Sequence, residues 1–160
     1  MTPARYRLRR VPSAHWKQWD AFVHEHPHGH FLQGWGWGEL KGSAGWYPVR
    51  LALWEEERMV AAAQVLCRTA AHLPLQAGHL AYIPKGPVID WQDPILCQTF
   101  FTQLHTYLKR RGALALWIEP EQRVEVATDN CLMESFASSQ FHPAQSIQPL
   151  RTILLNLHAD

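Results

Sequence analysis

Apolar and polar positions follow two periods along this chain. From Tyr6 to Val11, Tyr, Leu and Val alternate with Arg, which predicts a first strand with one wet face. Ser13 then offers an N-cap. Trp16, Trp19, Phe22 and Val23 recur at helical spacing until Pro27, which predicts a helix over 13–26. His24 to His30 is a turn broken by Pro27 and Gly29, and Gly34 to Lys41 starts a second short helix, with Trp37 and Leu40 three apart. Tyr47, Val49, Leu51 and Leu53 share a strand face, and Glu55-Glu56-Glu57 turns the chain into a more apolar strand over 60–68, a hairpin. After a loop through Pro74 and Gly78, Leu80 to Ile83 forms a strand that ends in Pro84-Lys85-Gly86-Pro87. Asp93-Pro94 caps the clearest helix, built on Leu96, Phe100, Leu104 and Leu108 and closed by Lys109-Arg110-Arg111-Gly112. Ala113 to Ile118 is an apolar strand of the mid-sheet kind. A helix over 130–138 and a strand over 152–157 complete the pattern.

The order β-α-α-β-β-β-α-β-α-β mixes hairpins with βαβ units. It predicts an α/β (α+β) chain: one mixed sheet with helices on both faces. A length of 160 residues suits one domain, and 47% hydrophobic with 18% charged residues excludes intrinsic disorder. The net charge of +1 gives no global field to draw in nucleic acid or anionic lipid. No apolar run is long enough for a membrane span, and no apolar segment follows the N-terminal arginines, so no secretory signal is expected. Cys67, Cys97 and Cys131 are scattered, without a C-x-x-C, and read as free buried thiols in a reducing cytosol.

Candidate chemistry is sparse. His24, His26, His28 and His30 alternate across a Pro and a Gly, which suits a solvated turn better than a zinc site. Gly34, Gly36 and Gly38 form G-x-G-x-G rather than the dinucleotide fingerprint, and read as a helix-entry turn. Glu119 and Asp90 each follow a strand, where open sheets place ligands; Glu119 equally suits a strand terminator. Lys85 sits in a stiff turn with its side chain free, and Gly86 lets another group approach the backbone. That pairing suits an anionic ligand such as a diphosphate, or simply a solvated turn. Trp16 and Trp19 read as core. Trp35, Trp37 and Trp46 either flank a cleft or plug a helix onto the sheet.

In order along the chain these pieces form a larger pattern. Phe31-Leu32-Gln33, Trp37-Gly38-Glu39-Leu40-Lys41 and Gly45-Trp46 resemble the opening motif of the Fem family, the peptidoglycan bridge-forming aminoacyltransferases. Tyr82-Ile83-Pro84-Lys85-Gly86-Pro87-Val88 with Asp90 resembles that family's Y-x-P-R/K-G-P signature. Trp117-Ile118-Glu119-Pro120 is similar to its R-I-E-P, with Trp in the Arg position. Ile147-Gln148-Pro149-Leu150-Arg151-Thr152 is similar to its I-Q-P-R-T-T, with Leu150 extra.

The resemblance implies a GNAT-like fold, with residues 1–160 as one domain like the first of two in tandem. It implies transfer of an amino acid from aminoacyl-tRNA to the stem peptide of a lipid II-type or UDP-MurNAc-pentapeptide precursor, in the cytoplasm, with peripheral contact to the membrane surface. No cofactor or metal is implied, and the acyl-CoA pyrophosphate loop is absent after the strand Leu80 to Ile83, where residues 84–92 stand instead. By motif match Lys41 resembles the lysine that contacts the precursor. Trp37, Tyr82, Lys85, Gly86, Asp90 and Arg151 would line the same cleft. Aminolysis needs a deprotonated amine and a donor for the oxyanion. The resemblance attributes those groups to the second domain, so no catalytic residue is named in this chain. The competing readings are a standalone, non-catalytic binding protein of the same fold and a small acyl-CoA-dependent N-acyltransferase.

Overall fold

The computed structural model describes residues 5–69, 78–121 and 141–149. The helix expected over 130–138, the strand over 152–157, Cys131 and Arg151 lie outside them.

The described elements are β1 (Tyr6–Arg10), α1 (Trp16–Glu25), α2 (Trp35–Ser43), β2 (Tyr47–Glu55), β3 (Arg58–Thr69), β4 (His79–Pro84), α3 (Pro94–Lys109) and β5 (Ala113–Glu119). The sheet runs β1-β2-β3-β4-β5. Its first three pairings are antiparallel and β4–β5 is parallel, so the expected mixed sheet is present. The acidic turn closes the β2–β3 hairpin, with Glu56 at a φ of 54°.

Alternation along β2 and β3 sorts residues to two faces. Leu51, Leu53, Ala61, Ala63 and Val65 pack against Leu96, Cys97, Phe100, Phe101, Leu104 and Leu108 of α3. Ala52 and Ala62 on the opposite face pack with Trp19 and Val23 of α1 and with Val88. Both faces are therefore covered, and each large side chain buried this way contributes about 1.5–3 kcal/mol. Asp93 caps α3 as expected: its carboxylate accepts from Leu96 N at 2.9 Å, and Pro94 fills the first turn.

Three local expectations change. Ser13 is not the cap of α1; it starts a single 3-10 turn over Ser13–His15, and α1 begins at Trp16 with no side-chain cap. That shift turns Trp16 outward, 46% exposed, while Trp19 is fully buried. β5 ends the described sheet, the strand expected over 152–157 lying outside it, and its Leu114, in a run read as buried, is 77% exposed.

Candidate functional site

The parallel pair β4–β5 ends on one side of the sheet, with Tyr82 opposite Trp117 and Pro84 opposite Glu119. A topological end of this kind is where open sheets hold ligands. Two polar networks organise it.

The first is buried. Gln33 lies in a short 3-10 turn, Phe31–Gln33, and is wholly inaccessible. Its Nε2 donates to Pro84 O at 2.5 Å, and its Oε1 accepts from Gln64 N at 2.8 Å. Its carbonyl accepts from Trp19 Nε1 at 2.7 Å. Gln64 Nε2 donates to Leu32 O and Gly34 O, both at 3.0 Å, and its Oε1 accepts from Arg50 Nε at 3.1 Å. Arg50 also donates to Trp35 O and Glu39 Oε1, each at 2.8 Å, and its guanidinium lies 3.6 Å from the Trp35 ring centroid. Burial pulls Arg50 below its ordinary pKa, against the pull of Glu39. This network fastens the segment 31–39 and the turn after β4 to the sheet. It is why α2 needs Gly38: a Cβ there would meet Gln64 Oε1 at 2.2 Å and Arg50 Nη2 at 2.4 Å. The G-x-G-x-G run therefore serves helix entry and close packing.

The second network centres on Glu119. One carboxylate oxygen accepts from the Ser146 hydroxyl and Ile147 N, both at 2.6 Å, and from Gln148 N at 3.1 Å. The other accepts from the Tyr82 hydroxyl, which in turn accepts from Gln148 Nε2 at 3.1 Å. Burial works to raise the Glu119 pKa. The hydrogen bonds from Ser146, Tyr82, Gln148 and Ile147 outweigh it and hold the carboxyl below its ordinary value. Burial first, then the bond to Glu119, pushes the Tyr82 hydroxyl well above its usual pKa, so it stays a neutral donor. Glu119 thus clasps the segment 146–148 onto the ends of β4 and β5.

Around these networks the site residues named from sequence fall as follows. On α2, the Lys41 ammonium lies 4.8 Å from the Trp37 ring centroid, and Trp37 meets the Phe31 ring edge-on at 5.8 Å. Among the described residues, the buried Trp37 indole N–H has no hydrogen-bond partner. Lys41 O accepts from Trp46 N at 3.1 Å, and the Trp46 ring lies 6.3 Å from that of Tyr82. These contacts bring Trp37, Lys41, Trp46 and Tyr82 together.

Lys85 differs from expectation. Its side chain is not free: the ammonium sits 2.8 Å from Glu121 Oε2, an ion pair without hydrogen-bond alignment, and its backbone is left-handed at φ 49°. The group that approaches Gly86 is Gln33, whose amide atoms lie 2.7–3.0 Å from where a Cβ would stand. Asp90 is exposed and accepts from Gln92 N at 2.9 Å, capping its own turn. Among the described residues, no hydrogen bond or ring contact joins it to Lys41, Trp37, Tyr82 or Lys85. Arg151, the remaining candidate, lies outside the described residues.

Sequence reasoning missed Gln33, Arg50 and Gln64 as organisers. The signal was available for Arg50 and Gln64, which face each other as polar residues in two otherwise apolar strands. Trp35 plugs the helix onto the sheet, stacked on Arg50 and edge-on to Trp19 at 6.4 Å. His26 Nδ1 and His30 Nδ1 accept backbone N–H bonds from His28 and Leu32, each at 3.1 Å. Among the described residues no group of three His, Cys, Asp or Glu is placed to hold a metal. Cys67 and Cys97 are both buried, and burial pushes the Cys67 thiol up to about 12. Among the described residues, no helix is long and apolar enough to cross a membrane.

Comparison with known proteins adds four findings. A family model described as the FemAB family matches residues 15–141. The lipid II:glycine glycyltransferase of Staphylococcus saprophyticus is 34% identical over 110 residues, covering 69% of this chain and 26% of that protein. The chain thus spans about a quarter of the length of the curated relatives it matches. The crystal structure of FemX superposes with a TM-score of 0.69 at 26% identity, over 82% of this chain and 31% of that one. An aminoglycoside acetyltransferase from an uncultured soil metagenomic sample superposes with a TM-score of 0.58 over 94% of this chain and 97% of its own. At 11% identity that likeness is one of fold alone, and the fold is GNAT-like, as expected.

Proposed function

The chain belongs to the FemAB family, and from that premise we propose that it is the precursor-binding part of an aminoacyltransferase that builds peptidoglycan bridges. It holds a lipid II-type or UDP-linked muramyl pentapeptide precursor. An amino acid then passes from aminoacyl-tRNA to the stem-peptide amine, with a second GNAT-like domain supplying the chemistry. The relatives' name, lipid II:glycine glycyltransferase, supports the substrate class.

The observation that carries the reading is the convergence of the motifs at one end of the sheet. Trp37 and Lys41 on α2, Trp46 in the following loop and Tyr82 near the end of β4 are joined by direct contacts. Lys41 supplies a point charge suited to a diphosphate, and its ammonium lies over the Trp37 ring, which helps hold it in place. Tyr82, kept protonated by burial and Glu119, offers a fixed aromatic wall. Lys85 takes a lesser part, since Glu121 already neutralises it.

In mechanistic terms these residues bind and orient. Fixing the acceptor turns a two-body encounter into a near-unimolecular one, and it is here that the chain's own residues contribute to rate.

Thermal melting tests this. UDP-linked muramyl pentapeptide at about a hundred times its dissociation constant stabilises by about 2.7 kcal/mol, which raises the melting temperature of a chain this size by roughly 5–10 °C. Lys41→Ala removes most of the shift and leaves the unliganded melting temperature nearly unchanged. A shift of full size in Lys41→Ala would remove Lys41 from the site.

A further inference from the structure

A hollow of about 490 Å³ opens where the end of β1 meets the start of β2, beside Trp35 at the first turn of α2. Val11, Pro12, Pro48 and Trp35 give it apolar walls, Ser13 stands at its rim, and Arg50 brings a charge into it. Among the described residues no carboxylate lines it. A mostly apolar space of this size with a few polar groups suits a small organic molecule. Its β1 wall stands three strands from β4, which carries Tyr82, and none of Trp37, Lys41, Trp46 or Tyr82 lines it. The hollow is therefore separate from the candidate precursor site.

Arg50 is 6% exposed, so its remaining hydrogen-bond capacity matters. Nε donates to Gln64 Oε1, and Nη2 donates to both Trp35 O and Glu39 Oε1. The other terminal nitrogen, Nη1, has no hydrogen-bond partner among the described residues, yet it is not sealed from solvent. It is the donor that the guanidinium offers to the hollow. Two carboxylates stand near and neither takes it: Glu39 holds Nη2 from the exposed side, and Asp20 Oδ1 accepts from Trp35 N at 2.6 Å. Arg10 does not compete, because it pairs with Leu51 on the α3 face of the sheet and donates to the Tyr47 hydroxyl at 3.0 Å. A buried cation with one open donor selects an anion, since a charge-assisted hydrogen bond gains strength away from water. One donor nitrogen suits a carboxylate better than a phosphate, whose additional oxygens need further donors. The walls favour a ligand with an apolar body. The Trp35 ring, 3.6 Å from the guanidinium, and the bonds to Gln64 and Trp35 O hold the cation fixed, so binding orders little that is not already ordered.

We propose that this hollow is a binding site for a small organic carboxylate with an apolar body. The carboxylate accepts from Arg50 Nη1, and the body lies against Val11, Pro12, Trp35 and Pro48. The inference goes beyond the precursor reading and does not require it. Arg50 also fastens the segment 31–39 through Trp35 O and Gln64, so a ligand here presses on the anchor of α2.

Benzoate is the probe, titrated into the whole chain and followed by heteronuclear NMR. Saturable movement of the Arg50 Nε–H and Trp35 indole N–H signals is expected. Benzamide keeps the shape without the charge and binds at least roughly tenfold more weakly. Inorganic phosphate keeps the charge without the apolar body and is weaker by a similar factor. Arg50→Met strips the bonds to Gln64 and Trp35 as well, so a variant at the rim carries the test. Ser13 is exposed, and its side chain caps no helix. Ser13→Glu sets a like charge beside the ligand and weakens benzoate roughly two- to fivefold, whereas Ser13→Gln leaves its affinity unchanged. Absence of saturable shifts with benzoate overturns the inference. So does equal binding of benzamide or phosphate, or equal affinity in Ser13→Glu and Ser13→Gln. Lys41→Ala keeps full benzoate binding while losing the shift with UDP-linked precursor, so the two readings fail separately.

Discussion

Gly86 marks where a motif residue serves the fold rather than a ligand. Its backbone is approached by the Gln33 amide, and that amide also bonds Pro84 O and Gln64 N. Gly86→Ala must displace a buried glutamine with three partners, so it costs about 1–3 kcal/mol from overpacking, and more if Gln33 loses a bond. Denaturant unfolding should show a lower midpoint with the slope unchanged. A neutral result would mean that the turn shifts freely and that Gln33 does not hold it. Glu119 makes the same point. The choice between ligand contact and strand terminator is decided by its hydrogen bonds, which tie together three separated motifs.

At the scale of elements, propensity signals worked where they were local. The Asp93-Pro94 cap, the apolar row of α3 and the acidic β2–β3 turn appear as read. Asp93→Ala should cost about 1 kcal/mol by freeing the Leu96 N–H, seen as a melting temperature lower by a few degrees; an unchanged value would show that water replaces the cap fully. Signals failed where burial on two sides mattered. Trp16 and Trp19 share the same helical spacing, yet only Trp19 reaches the Gln33 carbonyl beneath α1. Within the apolar run of β5, Leu114 faces outward, over Gly78.

For the whole molecule, pH dependence follows from two half-buried histidines. Burial is the main cause that lowers His26 and His30 below their ordinary value of 6.5. Both Nδ1 atoms accept backbone N–H bonds, which the neutral ring alone can do. A depressed histidine pKa means the unfolded chain binds protons first. The stability these residues contribute is therefore complete above about pH 6.5 and is lost as pH falls from there through their folded values. The lowered Glu119 adds a further loss at lower pH, below the ordinary carboxyl value of 4.5. The melting temperature should thus drop between pH 7.5 and pH 5. Replacing both histidines by Asn, which accepts a hydrogen bond without titrating, should flatten that drop; an equally steep drop would assign it elsewhere. The sequence by itself determined the order of elements, the mixed sheet and the family motifs, because periodicity, caps and turn residues act over a few neighbours. Only the tertiary structure decided what each motif residue touches. Gln33 meets Gly86, 53 positions further along a chain folded into strands and helices, and Lys85 meets Glu121 rather than solvent. Such contacts depend on strand register and on helix placement over the sheet, and no local pattern encodes either.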